Sequence, residues 1–513
     1  MSQPIRLMRG FATVGSWTLL SRVLGFVRDV LIAGFLGAGP VAEAFLIAFS
    51  LPNMFRRFFA EGAFNMAFVP MFSKKLEAGE GAKEFAEDAF AGLGTILIVF
   101  TLLATIFMPY LVLAMASGFV ADERFELAVL FGRIAFPYIL FISLAALLSG
   151  VLNASGRFIA AAAAPVLLNI LFIAALSGAW WLGLDLGRTL AWTVPVAGLA
   201  QLWLVWTAAA RAGYRLVPKR PQMTPEMKRL AIIAAPAALA GGVVQVNLLV
   251  GRQVASYFDG AVAWLNYADR LYQLPLGVVA IAIGVVLLPD LSRKLQNGDA
   301  AGGQEAFNRA GELALALTVP CAVALMVIPT PLISVLFERG QFGPDDSAAT
   351  AVAVAVYGLG LPAFVLQKVF QPLFFAREDT KRPFYFALVA LVVNAVIAIG
   401  LAPVVGYIAA ALGTTLAGWA MGGLLWIYAR RFGTAAEFDT RFRRSVPRII
   451  LASVLMGGVL YLLYLVLGGM FGMAGWRYLG LAVLLVAGGL SYALIGQALG
   501  AFRLRDIRAA LRR

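Results

Sequence analysis

Apolar stretches of about twenty residues recur along the whole chain and are separated by short polar segments. Apolar residues make up 61% of the 513 positions, whereas charged residues make up only 13%. A water-soluble domain cannot bury this much hydrocarbon, and about twenty residues is the length at which a helix crosses the core of a bilayer. The pattern therefore predicts an all-α polytopic membrane protein.

Hydropathy along the chain predicts about fourteen transmembrane helices. Most of the 41 lysine and arginine residues fall in alternate loops, and loops rich in these residues stay in the cytoplasm. This bias predicts an even number of spans with both termini cytoplasmic. The predicted spans cover residues 11–37, 41–72, 88–115, 127–152, 158–183, 189–210, 227–254, 261–291, 308–336, 348–375, 383–403, 405–429, 447–468 and 477–500.

An internal repeat relates the two halves of the chain. The stretch VPMFSKKLEAGE, beginning at Val69, is echoed by LPDLSRKLQNGD, beginning at Leu288. We therefore predict two parallel six-helix repeats, related by an axis along the membrane normal, plus two extra C-terminal helices. The domains would be 1–220 (helices 1–6), 221–440 (helices 7–12) and 441–513 (helices 13–14 and a basic cytoplasmic tail). Three further pairs match: Pro137 with Pro362, Arg157 with Arg382, and Asn169 with Asn394.

Several functional classes are excluded by residues that the sequence lacks. It contains no histidine, which removes histidine-based acid–base catalysis and most zinc or haem ligation. Cys321 is the single cysteine, so no intramolecular disulfide can form. The net charge of +14 is explained by basic membrane loops facing anionic lipids, so we predict no nucleic-acid partner. No metal and no cofactor are predicted.

Charged side chains inside the predicted spans are the main functional signal. Each costs at least about 2.5–3.5 kcal/mol at the bilayer centre, so a compensating role is expected. Asp29 and Asp269 directly follow or precede an arginine but project about 100° away around a helix, so we predict that Arg28 and Arg270 have no partner on their own helices. The deep cations are Arg22, Arg28, Arg56, Arg57, Arg252, Arg270 and Lys368.

The second predicted span carries two adjacent arginines. Glu61 follows Arg57 by one helical turn and is predicted to neutralise it, whereas Arg56, near Asn53, has no such partner. An alternative interpretation is that the Arg57–Glu61 pair is a purely structural ion pair and does not contact a ligand.

Unpartnered arginines facing a cavity between the two repeats would form an anion site. Guanidinium groups bind phosphate oxygens bidentately and stay charged at any relevant pH. The sequence therefore predicts a site for a membrane-embedded diphosphate, formed by Arg22, Arg28, Arg56 and Arg270. An alternative to the diphosphate site is that the side chain of Arg22 extends to the cytoplasmic interface of the membrane. We interpret Arg252 and Lys368 in the same way, as residues near helix ends whose charged groups reach the interface.

At these residues the chain resembles a known family. The segment SRVLGFVRDVLIAGFLGAGPVAEAFLIAFSLPNMFRRFFAEGAFNMAFVPMF, residues 21–72, is similar to the signature region of the MurJ (MviN) lipid II flippases. The similarity continues in YADRLYQLPLGVVAIAIGVVLLP, residues 267–289, and in FERGQF, residues 337–342. It covers essentially the whole chain, and the first segment is very specific.

The resemblance implies a fourteen-helix exporter fold of the multidrug/oligosaccharidyl-lipid/polysaccharide superfamily, located in the bacterial inner membrane. The implied substrate is lipid II, the undecaprenyl-diphosphate-linked peptidoglycan precursor. The family's cavity arginines correspond to Arg22, Arg28, Arg56 and Arg270, and its acidic cavity position corresponds to Glu43. The remaining supporting cavity or ion-pair residues would be Asp29, Asn53, Arg57, Glu61 and Asp269.

Family members that bind sodium use an acidic residue in the seventh helix. Here the segment QVNLLVGRQVAS, residues 245–256, contains none, so the resemblance does not carry sodium coupling to this chain. We predict a mechanism of alternating access by a monomer, biased by the membrane potential or by a monovalent ion of unknown identity, with no covalent reaction.

Two alternatives to a flippase remain at the level of sequence. An ion-coupled exporter of drugs or of another lipid-linked glycan would use the same scaffold, but a cation exporter needs deep carboxylates rather than arginines. A polyprenyl-phosphate glycosyltransferase or phosphatase would need an acidic metal-binding motif or a large catalytic loop, and the loops here are short.

Overall fold

The computed structural model describes residues 3–57, 63–216, 219–282, 287–473 and 475–501. Within these ranges the chain forms nineteen α-helices and two short 3-10 segments, at Ser117–Ala121 and Arg430–Ala436. The all-α class predicted from hydropathy is therefore confirmed.

The helices form two compact units. The first unit comprises Met1–Ala263 together with Arg339–Phe342, and the second comprises Trp264–Glu338 and Gly343–Arg513. The helices up to the first boundary are α1 (Gln3–Leu36), α2 (Pro40–Arg56), α3 (Ala63–Ala78), α4 (Ala82–Ile106), α5 (Met108–Met115), α6 (Glu123–Ala135), α7 (Tyr138–Ala154), α8 (Ile159–Leu182), α9 (Leu186–Arg211) and α10 (Pro225–Ala255).

The second unit contains the remaining helices, the first of which begins just before the boundary. They are α11 (Ala261–Ala282), α12 (Leu288–Gln296), α13 (Ala300–Val327), α14 (Pro329–Leu336), α15 (Pro344–Phe375), α16 (Lys381–Val405), α17 (Ile408–Ala429), α18 (Thr440–Phe471) and α19 (Trp476–Ala498).

Ten helical stretches in the described residues are long and apolar enough to cross a membrane. They match ten of the predicted spans. The stretch from Glu123 to Ala154 is divided into two helices: α6 ends at Ala135, and α7 begins at Tyr138, directly after Pro137. The other four predicted spans correspond to α1, to α2 with α3, to α10, and to α11 with α12. These are the helices that carry most of the deep arginines. The total of fourteen stays a prediction.

Short polar residues begin several of the helices. An aspartate or threonine at the N-cap accepts a hydrogen bond from a backbone N–H of the first turn, which would otherwise have no partner. The N-cap residues of α6, α9, α10, α13 and α18 are Asp122, Asp185, Thr224, Asp299 and Asp439.

The division into units differs from the predicted domain boundary at residue 220. In the first unit α1 packs on α8, α2 on α6, α7 on α9, and α10 on α3. The segment before α10 and the first turn of α10 are held to the same unit by ion pairs from Lys219 to Asp88 and from Lys75 to Glu226. Helix α10 therefore packs with the first unit, although the repeat groups it with the second half; the repeat itself stays a prediction.

The two C-terminal helices are packed within the second unit rather than standing apart from it. Helix α18 packs on both α13 and α19. At the start of α18, Asp439 pairs with Arg309 of α13, which also pairs with Glu312 at 2.6 Å. The division into domains 1–220, 221–440 and 441–513 stays a prediction.

Candidate functional site

Helices α1 and α8 are joined by a buried polar cluster, which we call the Arg28 cluster (Arg28, Asp29, Asn169 and Ser21). Arg28 donates from Nε and Nη2 to Oδ1 of Asp29, at 3.0 and 2.8 Å, and from Nη1 to Oδ1 of Asn169, at 3.0 Å. Asn169 in turn donates from Nδ2 to the carbonyl oxygen of Ser21, at 2.9 Å. The guanidinium of Arg28 therefore lies fixed between two helices.

The prediction that Asp29 leaves Arg28 without a partner on its own helix is wrong. Adjacent Cβ atoms do point about 100° apart on a helix, but the arginine side chain is long and curls back to its neighbour. Arg28, Asp29 and Asn169 are only 7%, 4% and 5% exposed, and burial strongly favours pairing of opposite charges.

Arg22, one helical turn and a half before Arg28, has a different environment. Its side chain is exposed, and it makes no ion pair or hydrogen bond in the part of the chain that the structure describes. A cation in this position remains available to an anion or to the membrane interface. Of the four predicted binding arginines, Arg22 best fits the predicted unpaired state.

The arginines at the end of α2 are less enclosed than Arg28. Arg56, the last residue of the helix, is partly buried, and Arg57 is exposed. Asn53 is used within the helix, because its Nδ2 donates to the carbonyl oxygen of Phe49 at 2.8 Å. Glu61 lies outside the described residues, so its pairing with Arg57 stays a prediction.

Arg270 lies on α11, in the second unit, and is partly buried. Its neighbour Asp269 is also partly buried and accepts a hydrogen bond from Gln273 on the next turn. Whether the four arginines form one diphosphate site stays a prediction.

Glu43 is the centre of a second polar network, the Glu43 cluster (Glu43, Arg124, Asp122 and Asp259), in which Glu43 and Arg124 are buried and the two aspartates are exposed. Its Oε2 accepts a hydrogen bond from Nη1 of Arg124 at 2.9 Å, and its Oε1 accepts one from the backbone N–H of Val262 at 2.9 Å. The carboxylate thus joins α2 to α6 and to the backbone at Val262, all within the first unit. The predicted supporting acid is present, and it is fully engaged with protein groups.

Arg124 connects the other members of the Glu43 cluster. It pairs with Asp122 at 2.6 Å and with Asp259 at 3.0 Å, and its guanidinium lies 4.5 Å from the ring centre of Phe119. The hydrogen bond from Arg124 lowers the pKa of Asp122 below its ordinary value. Sequence reasoning did not identify Arg124 as the partner of Glu43, since the two residues lie 81 positions apart in the chain.

The end of α10 is bonded to the 3-10 segment next to this cluster. Gln253 accepts hydrogen bonds from the backbone N–H and the hydroxyl of Ser117, at 2.8 and 2.9 Å, and the backbone N–H of Gly118 donates to Ser256 at 3.0 Å. A Cβ at Gly118 would overlap the Ser256 backbone. The glycine therefore permits the close approach of the two backbones.

A four-residue loop tip, Arg339–Phe342, belongs to the first unit although the residues on either side belong to the second. The backbone N–H of Gln341 donates to the carbonyl oxygen of Gly34, at 2.8 Å, where α1 is about to end. Gly37 and Gly340 both have positive φ, 66° and 55°, and a Cβ on either would collide with the facing backbone. The glycines of the FLGAG and FERGQF segments thus allow this contact.

Comparison with known proteins gives consistent results. The family model described as "Lipid II flippase MurJ" matches residues 32–479. A "Probable lipid II flippase MurJ" of Rhizobium meliloti is 46% identical over 465 residues, which covers 89% of this chain and 86% of the relative. A "Lipid II flippase MurJ" of Burkholderia cenocepacia is 36% identical, covering 88% and 89%.

Solved structures show the same similarity. One described as "Lipid II flippase MurJ, inward closed conformation" superposes with a TM-score of 0.80 at 25% identity, covering 96% of this chain and 99% of its own. A multidrug resistance MATE family transporter in an inward-facing conformation gives a TM-score of 0.67 at 14% identity, covering 83% and 98%. The second similarity concerns the fold alone.

Proposed function

This chain belongs to the MurJ family of lipid II flippases, and from that membership we propose that it moves lipid II across the bacterial inner membrane by alternating access. It is a multi-pass membrane protein and a transporter. The observation that carries the proposal is the 46% identity to a relative named as such a flippase, spread over most of both chains.

The physical task is to carry a charged headgroup through a bilayer. Transfer of an unpaired phosphate charge into hydrocarbon is prohibitive, so the protein must replace the water that the diphosphate loses. We assign this role to the guanidinium groups of Arg22, Arg28, Arg56 and Arg270. Exposed Arg22, without a protein partner in the described residues, supports the assignment most directly.

The acidic residues have a different place in the proposal. Glu43 is engaged with Arg124 and with the Val262 backbone, so it holds helices together rather than contacting an anionic substrate. Asp29 neutralises part of the charge of Arg28. This lowers the free-energy cost of keeping that arginine in a membrane-spanning helix.

The proposal extends to topology, partners and energy. Both termini are cytoplasmic, the protein acts as a monomer, and the membrane potential or a monovalent ion biases the cycle. The basic region from Arg430 to Arg448 contacts anionic lipids. In support of the last point, Arg430 stacks on Trp426 and Arg431 on Tyr428, an arrangement suited to the membrane interface.

Reconstitution into liposomes tests the function. The purified protein is expected to move fluorescent lipid II between leaflets without changing its mass, and Arg22→Ala or Arg270→Ala is expected to stop this movement. Arg188→Ala is the matched control, because Arg188 is an exposed arginine that pairs only weakly with Asp185 at 3.7 Å. Movement that is unaffected by both site variants would contradict the arginine site.

The same vesicles separate the alternatives. Transport of a cationic drug without movement of lipid II would favour the exporter class, whose fold this chain shares. A lipid product of altered mass would indicate a glycosyltransferase or phosphatase.

A further inference from the structure

Each of the three nitrogens of the Arg28 guanidinium donates one hydrogen bond, and two N–H groups are left over. Asp29 and Asn169 accept from three of its N–H groups, and the other N–H groups have no acceptor in the described part of the chain. A guanidinium is planar, so holding all three nitrogens also fixes the direction in which the two remaining N–H groups project.

Asn169 determines this direction from a second helix. Its Oδ1 accepts from Arg28 while its Nδ2 donates to the carbonyl oxygen of Ser21, so both ends of the amide are bonded to α1. The amide lies close to Gly25, since a Cβ at that position would be in ordinary van der Waals contact with the amide nitrogen of Asn169, at 3.5 Å. These two hydrogen bonds therefore fix the position of the amide along α1 and its orientation.

Two aromatic rings complete the enclosure of Arg28. The guanidinium carbon lies 5.5 Å from the ring centre of Phe172, on the same helix as Asn169, and 5.9 Å from that of Phe49 on α2. Such contacts stabilise a cation and restrict its movement. An arginine with one orientation loses less entropy when it binds an anion than a freely moving one.

We propose that Asn169 is a positioning residue for transport: by bonding both Arg28 and the α1 backbone, it fixes the guanidinium in the orientation that binds the diphosphate of the substrate. This inference rests on the proposed function, since it assumes that Arg28 is a substrate-binding arginine. Asn169 itself does not contact the substrate. Its contribution passes entirely through Arg28.

A double-mutant cycle tests the coupling between the two residues. The full-length protein in detergent is titrated with a fluorescent short-chain prenyl diphosphate, and with the matching monophosphate for comparison. Asn169→Ala and Arg28→Ala are each expected to weaken diphosphate binding by about tenfold. In the Arg28→Ala background, Asn169→Ala is expected to add less than about a twofold change, because the residue acts through Arg28.

Asn394→Ala is the matched control. Asn394 is a buried asparagine that the sequence repeat aligns with Asn169, but it lies on α16 in the second unit. Its replacement is expected to leave diphosphate binding unchanged. If Asn169→Ala does not fold, Asn169→Ser completes the same cycle with a smaller polar side chain.

The outcomes distinguish this inference from the proposed function. Arg28→Ala with weakened binding and Asn169→Ala with wild-type binding would reject the positioning role alone. Effects of the two substitutions that multiply in the double variant would also reject it, because Asn169 would then act independently. A wild-type protein that does not prefer diphosphate to monophosphate, or that binds equally well without Arg28, would contradict the proposed arginine site.

Discussion

Arg124 donates a hydrogen bond to Glu43 at 2.9 Å, and the side chains of the two residues are only 5% and 1% exposed. The pair joins α6 to α2, and the second oxygen of Glu43 accepts from the Val262 backbone. A buried carboxylate with all its acceptors engaged contributes to a particular arrangement of helices, which leads to the first prediction.

Glu43→Gln keeps the size of the side chain and removes its charge. We expect the free energy of unfolding to fall by about 1.5–3 kcal/mol, the usual contribution of hydrogen bonds to a charged group. Denaturant unfolding in detergent measures this change. Asp185→Asn is the control, because its pair with Arg188 is exposed and is expected to contribute less than about 1 kcal/mol. Equal effects of the two substitutions would refute the prediction.

Acidification is expected to weaken the same cluster through Asp122. Its pKa is lowered in the folded state by the hydrogen bond from Arg124, so its stabilising contribution is complete above the ordinary aspartate pKa of about 3.9. The contribution is lost as the pH falls through the folded-state value. Stability measured between about pH 6 and pH 3 should therefore decline less steeply in Asp122→Asn than in the wild type. Parallel curves would show that Asp122 does not contribute in this way.

Arg22 and Arg28, which both lie on α1, are expected to respond differently to removal. Arg22→Ala should abolish lipid II movement but change the free energy of unfolding by no more than about 0.5 kcal/mol, because Arg22 is exposed. Arg28→Ala should also lower stability, by about 3–5 kcal/mol, because it leaves the carboxylate of Asp29 buried without its partner. Flipping in liposomes and unfolding in detergent are measured on the same preparations. Equal stability of both variants would contradict the structural account of the Arg28 cluster.

Substitution of Gly340 tests the contact between the loop tip and α1. Alanine there meets the carbonyl oxygen of Gly34 and also has to adopt a positive φ. Gly79→Ala isolates the second effect, since Gly79 has a φ of 71° and open space around it. We expect the control to lose about 1–2 kcal/mol of stability and Gly340→Ala to lose clearly more. Similar losses would mean that the tip adapts without a collision.

Much of this fold could be predicted because membrane insertion is governed by local composition. Runs of apolar residues located ten helical stretches that are long and apolar enough to cross a membrane, whereas the break between α6 and α7 was not predicted. The deep arginines were found in the same way, since a charge inside such a run stands out without any knowledge of its neighbours in space.

The partners of those charges could not be predicted in the same way. The pairing of Arg28 with Asp29 depends on how a long side chain bends, which helical geometry alone does not determine. The pairing of Glu43 with Arg124 depends on the packing of α2 against α6, and no local pattern specifies it. Asn169 could have been recognised as a candidate buried polar residue, because it is an amide within an apolar helix. The prediction used it only to align the repeat.

The loop tip has a consequence for the biogenesis of the protein. Residues 339–342 are synthesised well after α10, yet they belong to the first unit. While the ribosome is still translating α11 to α14, Gly34 and Gly37 at the end of α1 lack the chain segment that later contacts them. A fragment ending at Ala263 would remain in that incomplete state, so the first unit requires translation of the second half to reach its final structure.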